Sequence, residues 1–512
     1  MSPTPENVVW LNTDHYAYAH HTAKPTSAPG GPTPETPTLD RLTREGIHFE
    51  NAYSVTPLCA PARASFLTGE YPHRHGLLNN AGDHGAIEQL PTDLRTYSHA
   101  LREQDIQPGY FGKWHVGTSK PGPEAPTAQD YDFEGWSDPG YGYPYNTERY
   151  VEYLSEQGLP DPVVDIEWVD PGWTDQPDDL LGHVPLIEEP GAHHRMHTAG
   201  VLESPPETHE AHFVTHLANE WIEQQVAADE HFFARVDVWG PHHPYWVPSD
   251  IAGTVDPKAI PKYPSFDHDL ADRPDHHTEF NEGARVAETW EEFQPLLARC
   301  YEHVHAVDRA LGSVLDTLDR LGIADETLVI YSADHGDILG AHSGSFDKGW
   351  LMVEETMRIP MVVRWPDEIP ASTSSDALVS NLDIVPTLFE AGGAEVPEHV
   401  DGDSVLDLAR APEITEWQDD LFSEHHGHYG EYVFQRFLRY DRYKYVAHLE
   451  DIDELYDLEA DPYELENRVD DPELADIRAE LQRRLLARMD EADDDGPDAR
   501  QLREELAEHN SN

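Results

Sequence analysis

The chain is poor in cysteine, in lysine and in long apolar runs, and each shortage removes a class of protein. Two cysteines in 512 residues, Cys59 and Cys300, cannot build a disulfide framework. No run of about 18 apolar residues occurs, and Met1 to Glu6 has neither the basic nor the apolar character of a leader, so a soluble, cytoplasmic protein is expected. Lysine occurs 7 times against 27 arginines and 99 acidic residues, for a formal net charge of −65. Such a chain offers no basic face, so neither nucleic acid nor an anionic membrane surface is an expected partner.

High net charge with low hydropathy is also the signature of disorder. The 10% aromatic content and the many periodic apolar segments oppose that reading. A folded protein adapted to molar salt, where the Debye length falls to about 3 Å, accounts for both observations. The pattern resembles the proteomes of salt-accumulating halophilic archaea and implies a high-salt cytosol. The oligomeric state is not legible.

Asn7 to Asn12 and Thr327 to Ser332 are short apolar runs that end in Thr13-Asp14 and Ala333-Asp334-His335, as buried parallel strands with polar carboxyl ends would. Phe232 to Val238 and Pro360 to Arg364 are further strands; Glu207 to Gln225, Pro295 to Leu321 and Asp383 to Glu390 read as helices. The 295–321 pattern makes Cys300 a buried small hydrophobe. The alternation implies an α/β fold, a large mostly parallel sheet sandwiched by helices, with ligands at the strands' carboxyl ends. After about Ala409 short strands arrive at close spacing, followed by an amphipathic helix, Pro472 to Met489, an acidic linker and a last short helix. Two domains are expected: residues 1–409 as the α/β catalytic domain and 410–512 as a small antiparallel sheet plus helix with an acidic tail. The tracts 161–197 and 248–275, rich in Pro, His and acids, read mostly as surface loop.

Chemistry concentrates at Cys59-Ala60-Pro61-Ala62-Arg63. Pro61 suits a first helical turn and so places Cys59 at a helix N-terminus, where unpaired N–H groups favour an anion. Cys59-x-Pro61-x-Arg63 with Leu67-Thr68-Gly69-x-Tyr71-Pro72-x-x-His75-Gly76 resembles the signature of the type I sulfatases of the alkaline phosphatase superfamily. The resemblance continues through Gly112-Lys113-Trp114-His115, Pro241-His242-His243-Pro244, Asp334-His335-Gly336, Phe346-Asp347-Lys348, Arg358-Ile359-Pro360, Arg442-Tyr443-Lys444-Tyr445 and Glu454-Leu455-Tyr456-Asp457.

That resemblance implies a sulfuric ester hydrolase acting on a small-molecule or saccharide sulfate. It implies that a maturation enzyme converts Cys59 to formylglycine, whose hydrate attacks sulfur. Asp14, Asp334, His335 and residue 59 would hold a divalent cation, Ca²⁺ by resemblance, although an imidazole in the set leaves Mg²⁺, Mn²⁺ or Zn²⁺ open. His15 stands where many relatives carry a second Asp or a Gln, and is either a ligand or a packing residue. Arg63, Lys113 and Lys348 would supply positive charge to the ester, so a locally positive pocket is expected; two of seven lysines fall on these positions. His242 would protonate the leaving alcohol, with Lys348 assisting, and His115 would take the proton whose loss expels sulfate.

A phosphonate monoester or phosphodiester hydrolase of the same superfamily is the nearest alternative, against which Lys113-Trp114-His115 argues. A binding protein in which Cys59 is never matured is the other. His183, His193, His194, His197, His209 and His212 lack a fixed ligand spacing and read as solvated loop and helix. His425, His426, His428 and Tyr429 could reach the substrate, and Trp239, Tyr245 and Trp246 could either stack on it or pack.

Overall fold

The computed structural model describes residues 4–18, 32–118, 124–140, 142–170, 180–187, 197–414, 417–428 and 430–509. His193, His194 and Tyr429 lie outside them. At the centre is an eight-stranded sheet in the order Thr373–Ser380, Ile47–Tyr53, Val362–Arg364, Thr327–Ala333, Asn7–Asp14, His231–Pro241, Ile106–Lys113 and Glu134–Asp138. Val362–Arg364 runs antiparallel to both its neighbours and every other neighbouring pair is parallel.

Helices cover both faces, which is why Val8, Val9, Trp10 and Leu11 are all buried rather than alternately so. Successive side chains point to opposite faces. Phe111 meets Trp221 of the helix Glu210–Ala228, whereas Tyr110 lies with Arg235, Trp10 and Phe66, the last from the helix Cys59–Thr68. The 32-residue helix Trp290–Leu321 packs against Glu210–Ala228 and buries Cys300. Four adjacent parallel strands thus bring Asp14, Lys113, Asp237 and Asp334 to one edge of the sheet.

The smaller C-terminal sheet is an antiparallel meander of Asp420–His425, Gln435–Tyr440, Tyr443–His448 and Glu454–Asp457. Leu481, Leu485 and Met489 of the helix Ala475–Glu491 close its core.

Two expectations need correction. The 161–197 tract is not mostly loop among the described residues. Val163–Val169 pairs with Gly182–Pro185 and with Thr198–Leu202, which in turn pairs with Tyr245–Pro248 to make a third, four-stranded sheet. Val164, Ile166 and Val169 are the buried positions of Val163–Val169, an alternation broken by a register shift between Ile166 and Trp168 and masked by the surrounding Pro, His and acids. Nor are all the flanking histidines solvated. His183 is exposed, but His197 and His209 are buried; His209 Nδ1 caps Glu210–Ala228 by accepting from the Ala211 N–H, and its Nε2 meets His303 Nε2 at 3.1 Å. The 248–275 tract holds only turns and the short 3₁₀ helix Pro257–Ala259 between Tyr245–Pro248 and Asp275–Ala284.

The C-terminal sheet is pinned to the segment that follows the Cys59 helix. His73 sets its Nδ1 2.7 Å and its backbone N–H 2.6 Å from the Glu424 carboxylate, with Nε2 2.9 Å from the Ala492 carbonyl. Burial alone would lower His73, but the charge and hydrogen bonds of Glu424 outweigh it and raise the imidazole to about 9, above its unfolded value near 6.5. The contact therefore stabilises fully below pH about 6.5 and is lost as pH rises through about 9. Wild-type melting temperature, followed by scanning fluorimetry in KCl, is expected to fall between pH 7 and 10, and His73→Gln to flatten that fall. Identical slopes in the two proteins would show that this pair does not carry the alkaline loss.

Candidate active site

The helix Cys59–Thr68 starts at Cys59, directly after extended Leu58, with Pro61 in its first turn, and all ten of its residues are buried. It stops at Gly69, whose φ of 74° is the left-handed cap position that favours glycine. The Ala60 N–H in the first turn donates to Asn80 Oδ1 at 2.9 Å. Across from Cys59, the Asp334 N–H donates to the Thr13 carbonyl, which keeps the two strand ends and their acids side by side.

Asp14, Cys59, Asp334 and His335 offer donor atoms that all lie within 4.8 Å of one another. Burial lowers His335 and keeps its imidazole neutral. With Nδ1–H donating to the Gly336 carbonyl at 2.8 Å, the lone pair is on Nε2, 3.1 Å from Cys59 Sγ. Asp14 Oδ1 is buried without a hydrogen-bond partner. Burial and the Asp14 charge push Asp334 up to about 7, while the charges of Lys113 and Arg63 overcome the same burial at Asp14 and hold it well below the usual carboxylate range. Converging acids, a neutral imidazole lone pair and an orphaned carboxylate oxygen fit a divalent cation. Burial also raises the Cys59 thiol, leaving it a poor nucleophile as it stands.

Arg63, one turn beyond Cys59, is wholly buried. It donates from Nε to Asp334 at 2.9 Å and from Nη1 to Asp237 at 2.8 Å and to the Lys113 carbonyl, with Nη2 4.0 Å from Asp14. Lys113 pairs with Asp14, and Lys348 with Asp347 at 2.9 Å. Asp237 also holds Arg235, whose guanidinium stands 4.2 Å from the Trp10 ring.

His115 and His242 are both buried, and burial, reinforced by Lys113, holds each well below the ordinary histidine value. His115 takes a left-handed φ of 46°. His242 Nδ1 meets the His243 carbonyl at 2.5 Å, and its ring stacks on His15, with centroids 4.3 Å apart. His15 Nδ1 is 3.2 Å from Asp337 and Nε2 3.3 Å from Asp347. Burial and Asp347 push Asp337 up to about 8, whereas Lys348 overcomes burial and keeps Asp347 low. A neutral His15 therefore faces one proton-bearing and one charged carboxylate. His428 is buried with Lys348 and Asp347 among its charged neighbours; His426 instead turns to Glu424 at 3.2 Å. Trp239, Tyr245 and Trp246 are buried packing residues, Trp246 Nε1 donating to Thr198.

All the expected site residues gather here, but the pocket is not the positive one expected. Asp14, Asp237, Asp334, Asp337 and Asp347 outnumber Arg63, Lys113, Arg235 and Lys348, and every one of these buried cations is paired with at least one of the acids. Sequence reasoning passed over Asp237, Asp337 and His243, although Asp337 sits one residue past Asp334-His335-Gly336. Replacing Asp237 by Leu takes a carboxylate from two buried guanidinium groups, leaving Arg235 without its acid, and is expected to cost about 3–5 kcal/mol, read from urea denaturation in KCl; a loss under about 1 kcal/mol would show that the network is not supporting the fold.

Comparison with known proteins places these residues in context. The Sulfatase family model matches residues 6–394, and that for the C-terminal part of N-sulphoglucosamine sulphohydrolase matches 340–491. The chain is 26% identical to an N-acetylglucosamine-6-O-sulfatase of Bacteroides thetaiotaomicron over 97% of its own length and 88% of the relative's, and 28% identical to a choline-sulfatase of Rhizobium meliloti over 87% and 80%. Among solved structures, one in complex with its substrate D-glucosamine-2-N,6-O-disulfate superposes with a TM-score of 0.71 at 21% identity, covering 97% of this chain and 99% of that one. A phosphonate monoester hydrolase of Silicibacter pomeroyi gives 0.74 at 22% identity over 95% of both chains.

Proposed function

The chain belongs to the sulfatase family, in the alkaline phosphatase superfamily, and on that footing we propose that it releases sulfate from a sulfated saccharide through a formylglycine made from Cys59. The observation that carries this reading is the set of four donors, Asp14, Cys59, Asp334 and His335, gathered at a helix N-terminus beside Arg63 and Lys113. A saccharide is put ahead of an aryl ester because of the N-acetylglucosamine-6-O-sulfatase relative and the glucosamine disulfate complex. We also propose residues 1–409 and 410–512 as the two domains, and salt adaptation as the origin of the acidic surface.

The cation would be held by Asp14, Asp334, His335 and residue 59; when bound it acidifies the nucleophilic hydroxyl and offsets the ester's charge. The chain's own groups do the rest. Arg63 fixes Asp334, and Lys113 and Lys348 face the charge that grows on the sulfonate oxygens. His242 is kept neutral by its buried, cation-rich surroundings. An arriving anionic ester favours its protonation, after which it donates to the departing alcohol oxygen. His115 then accepts a proton from the side chain of residue 59 as sulfate is expelled. Cys59 is 1% exposed, so its maturation must precede completion of the fold.

The phosphonate monoester hydrolase reading remains the rival in the same fold; the buried Lys113–Asp14 pair and the neighbouring His115 favour the sulfate ester. After expression with a maturation enzyme, the peptide spanning Cys59 is expected to weigh roughly 18 Da less than the thiol form, as sulfur is exchanged for oxygen with loss of two hydrogens. Matured protein should free sulfate from sulfated glucosamine, and Cys59→Ala and His242→Ala should each lower the rate by at least about 10²-fold. A phosphonate ester cleaved faster than any sulfate in the same panel would reverse the assignment.

The resemblance implies Ca²⁺, which prefers oxygen donors alone; with His335 in the set, we propose Mn²⁺ or Zn²⁺ instead. Elemental analysis of the purified protein is expected to find a transition metal near one per chain. Finding calcium alone at that stoichiometry would refute the preference.

A further inference from the structure

We infer that His15, His242 and His243 form a second cation site, for a transition-metal ion such as Zn²⁺, distinct from the four donors around Cys59. Filling that site would take His242 out of use, and this consequence alone rests on the sulfatase reading above. The main sheet brings the three rings together. Asp14 pairs with Pro241 where the strands Asn7–Asp14 and His231–Pro241 lie parallel, so His15 on one chain segment and His242 and His243 on the other leave the sheet side by side. The ring of His242 lies 4.3 Å from that of His15 and 4.1 Å from that of His243, and one nitrogen from each of the three lies within 4.8 Å of the other two.

The nitrogens themselves point to a ligand. Among the described residues, neither ring nitrogen of His15 nor Nδ1 of His243 has a hydrogen-bond partner, although both side chains are buried. His15 Nδ1 faces Asp337 at 3.2 Å and Nε2 faces Asp347 at 3.3 Å, but neither approach is a hydrogen bond. Buried polar groups are nearly always paired, and an imidazole with its lone pair and its N–H both unmet in a dry interior costs stability. A cation that accepts the lone pairs offsets part of that cost. Three imidazoles suit Zn²⁺, Cu²⁺ or Ni²⁺, whereas Ca²⁺ and Mg²⁺ take oxygen.

None of the three histidines belongs to the group Asp14, Cys59, Asp334 and His335. Two carboxylates make that group the stronger site. Three uncharged rings beside the Asp347–Lys348 pair make the weaker one, so the second ion is taken up from added metal once the first site is full. An ion held there occupies a lone pair of His242, which can then no longer carry the proton meant for the departing alcohol, and sulfate release slows. A His15 nitrogen also lies within 4.8 Å of Cys59 Sγ and a His335 nitrogen, so His243 is the residue that separates the two sites.

Zinc titration of the matured, metal-loaded enzyme, followed by calorimetry in molar KCl to screen the acidic surface, tests the site. The wild type is expected to bind one further Zn²⁺ per chain. His15→Phe and His243→Phe, which each keep a flat ring in place, should weaken that step at least about 10-fold and retain the first ion by elemental analysis. At the zinc concentration that halves wild-type kcat, His243→Phe should lose no more than about a tenth of its own zinc-free rate. The inference is overturned if the wild type takes up no further zinc, or if both variants bind it as tightly as the wild type does. Loss of the first ion from His15→Phe would assign His15 to the four-donor group and overturn it too, as would bound zinc that leaves wild-type turnover unchanged. If the wild type frees no sulfate at all, the sulfatase reading falls, and the calorimetric titration still decides the site.

Discussion

A guanidinium buried between carboxylates from different strands holds this site together. Arg63 binds Asp334 at the end of one strand and Asp237 near the end of another, and touches the carbonyl of Lys113 on a third. Because Arg63 lies one turn along the helix from Cys59, those contacts fix the helix N-terminus against the strand ends. Removing one member of such a group leaves a buried charge without its partner, a loss of several kcal/mol, so the network tolerates one arrangement and few others. The position of residue 59 follows from charge pairing beneath it, and the proposed chemistry takes place on a rigid floor.

How much of this was legible depended on whether a residue announced itself against the background. Asp14 and Asp334 end apolar runs, Cys59 stands beside a proline that suits a first turn, and Lys113 and Lys348 are two lysines in a chain that has seven. Each departs from its surroundings. Asp237 and Asp337 do not, since they are two acids among 99, and what distinguishes them is burial beside a cation or an imidazole from a distant segment. The strands followed the same divide. Buried strands such as Thr327–Ala333 declare themselves by continuous apolar content, whereas Val163–Val169, half exposed and set in Pro-rich sequence, shows only a weak alternation. His15 was open between ligand and packing roles because sequence records a residue's type and not where its ring nitrogens point.

The acidic surface and the interior of the site are separate electrostatic problems. A net charge of −65 is spread over a surface that salt can screen, but the carboxylates around Cys59 are beyond the reach of mobile ions. Inside, five acids face four cations, and burial with mutual repulsion drives Asp334 and Asp337 toward their protonated forms, at about 7 and about 8. The floor is then near neutrality and has little attraction of its own for an anion. In the proposed reaction, attraction for the ester would come from the divalent charge that Asp14, residue 59, Asp334 and His335 would hold. Lysine and arginine alone would not make the pocket positive, because each is already held by an acid; their contribution is to orient those acids and to face the charge that develops as the sulfur–oxygen bond breaks.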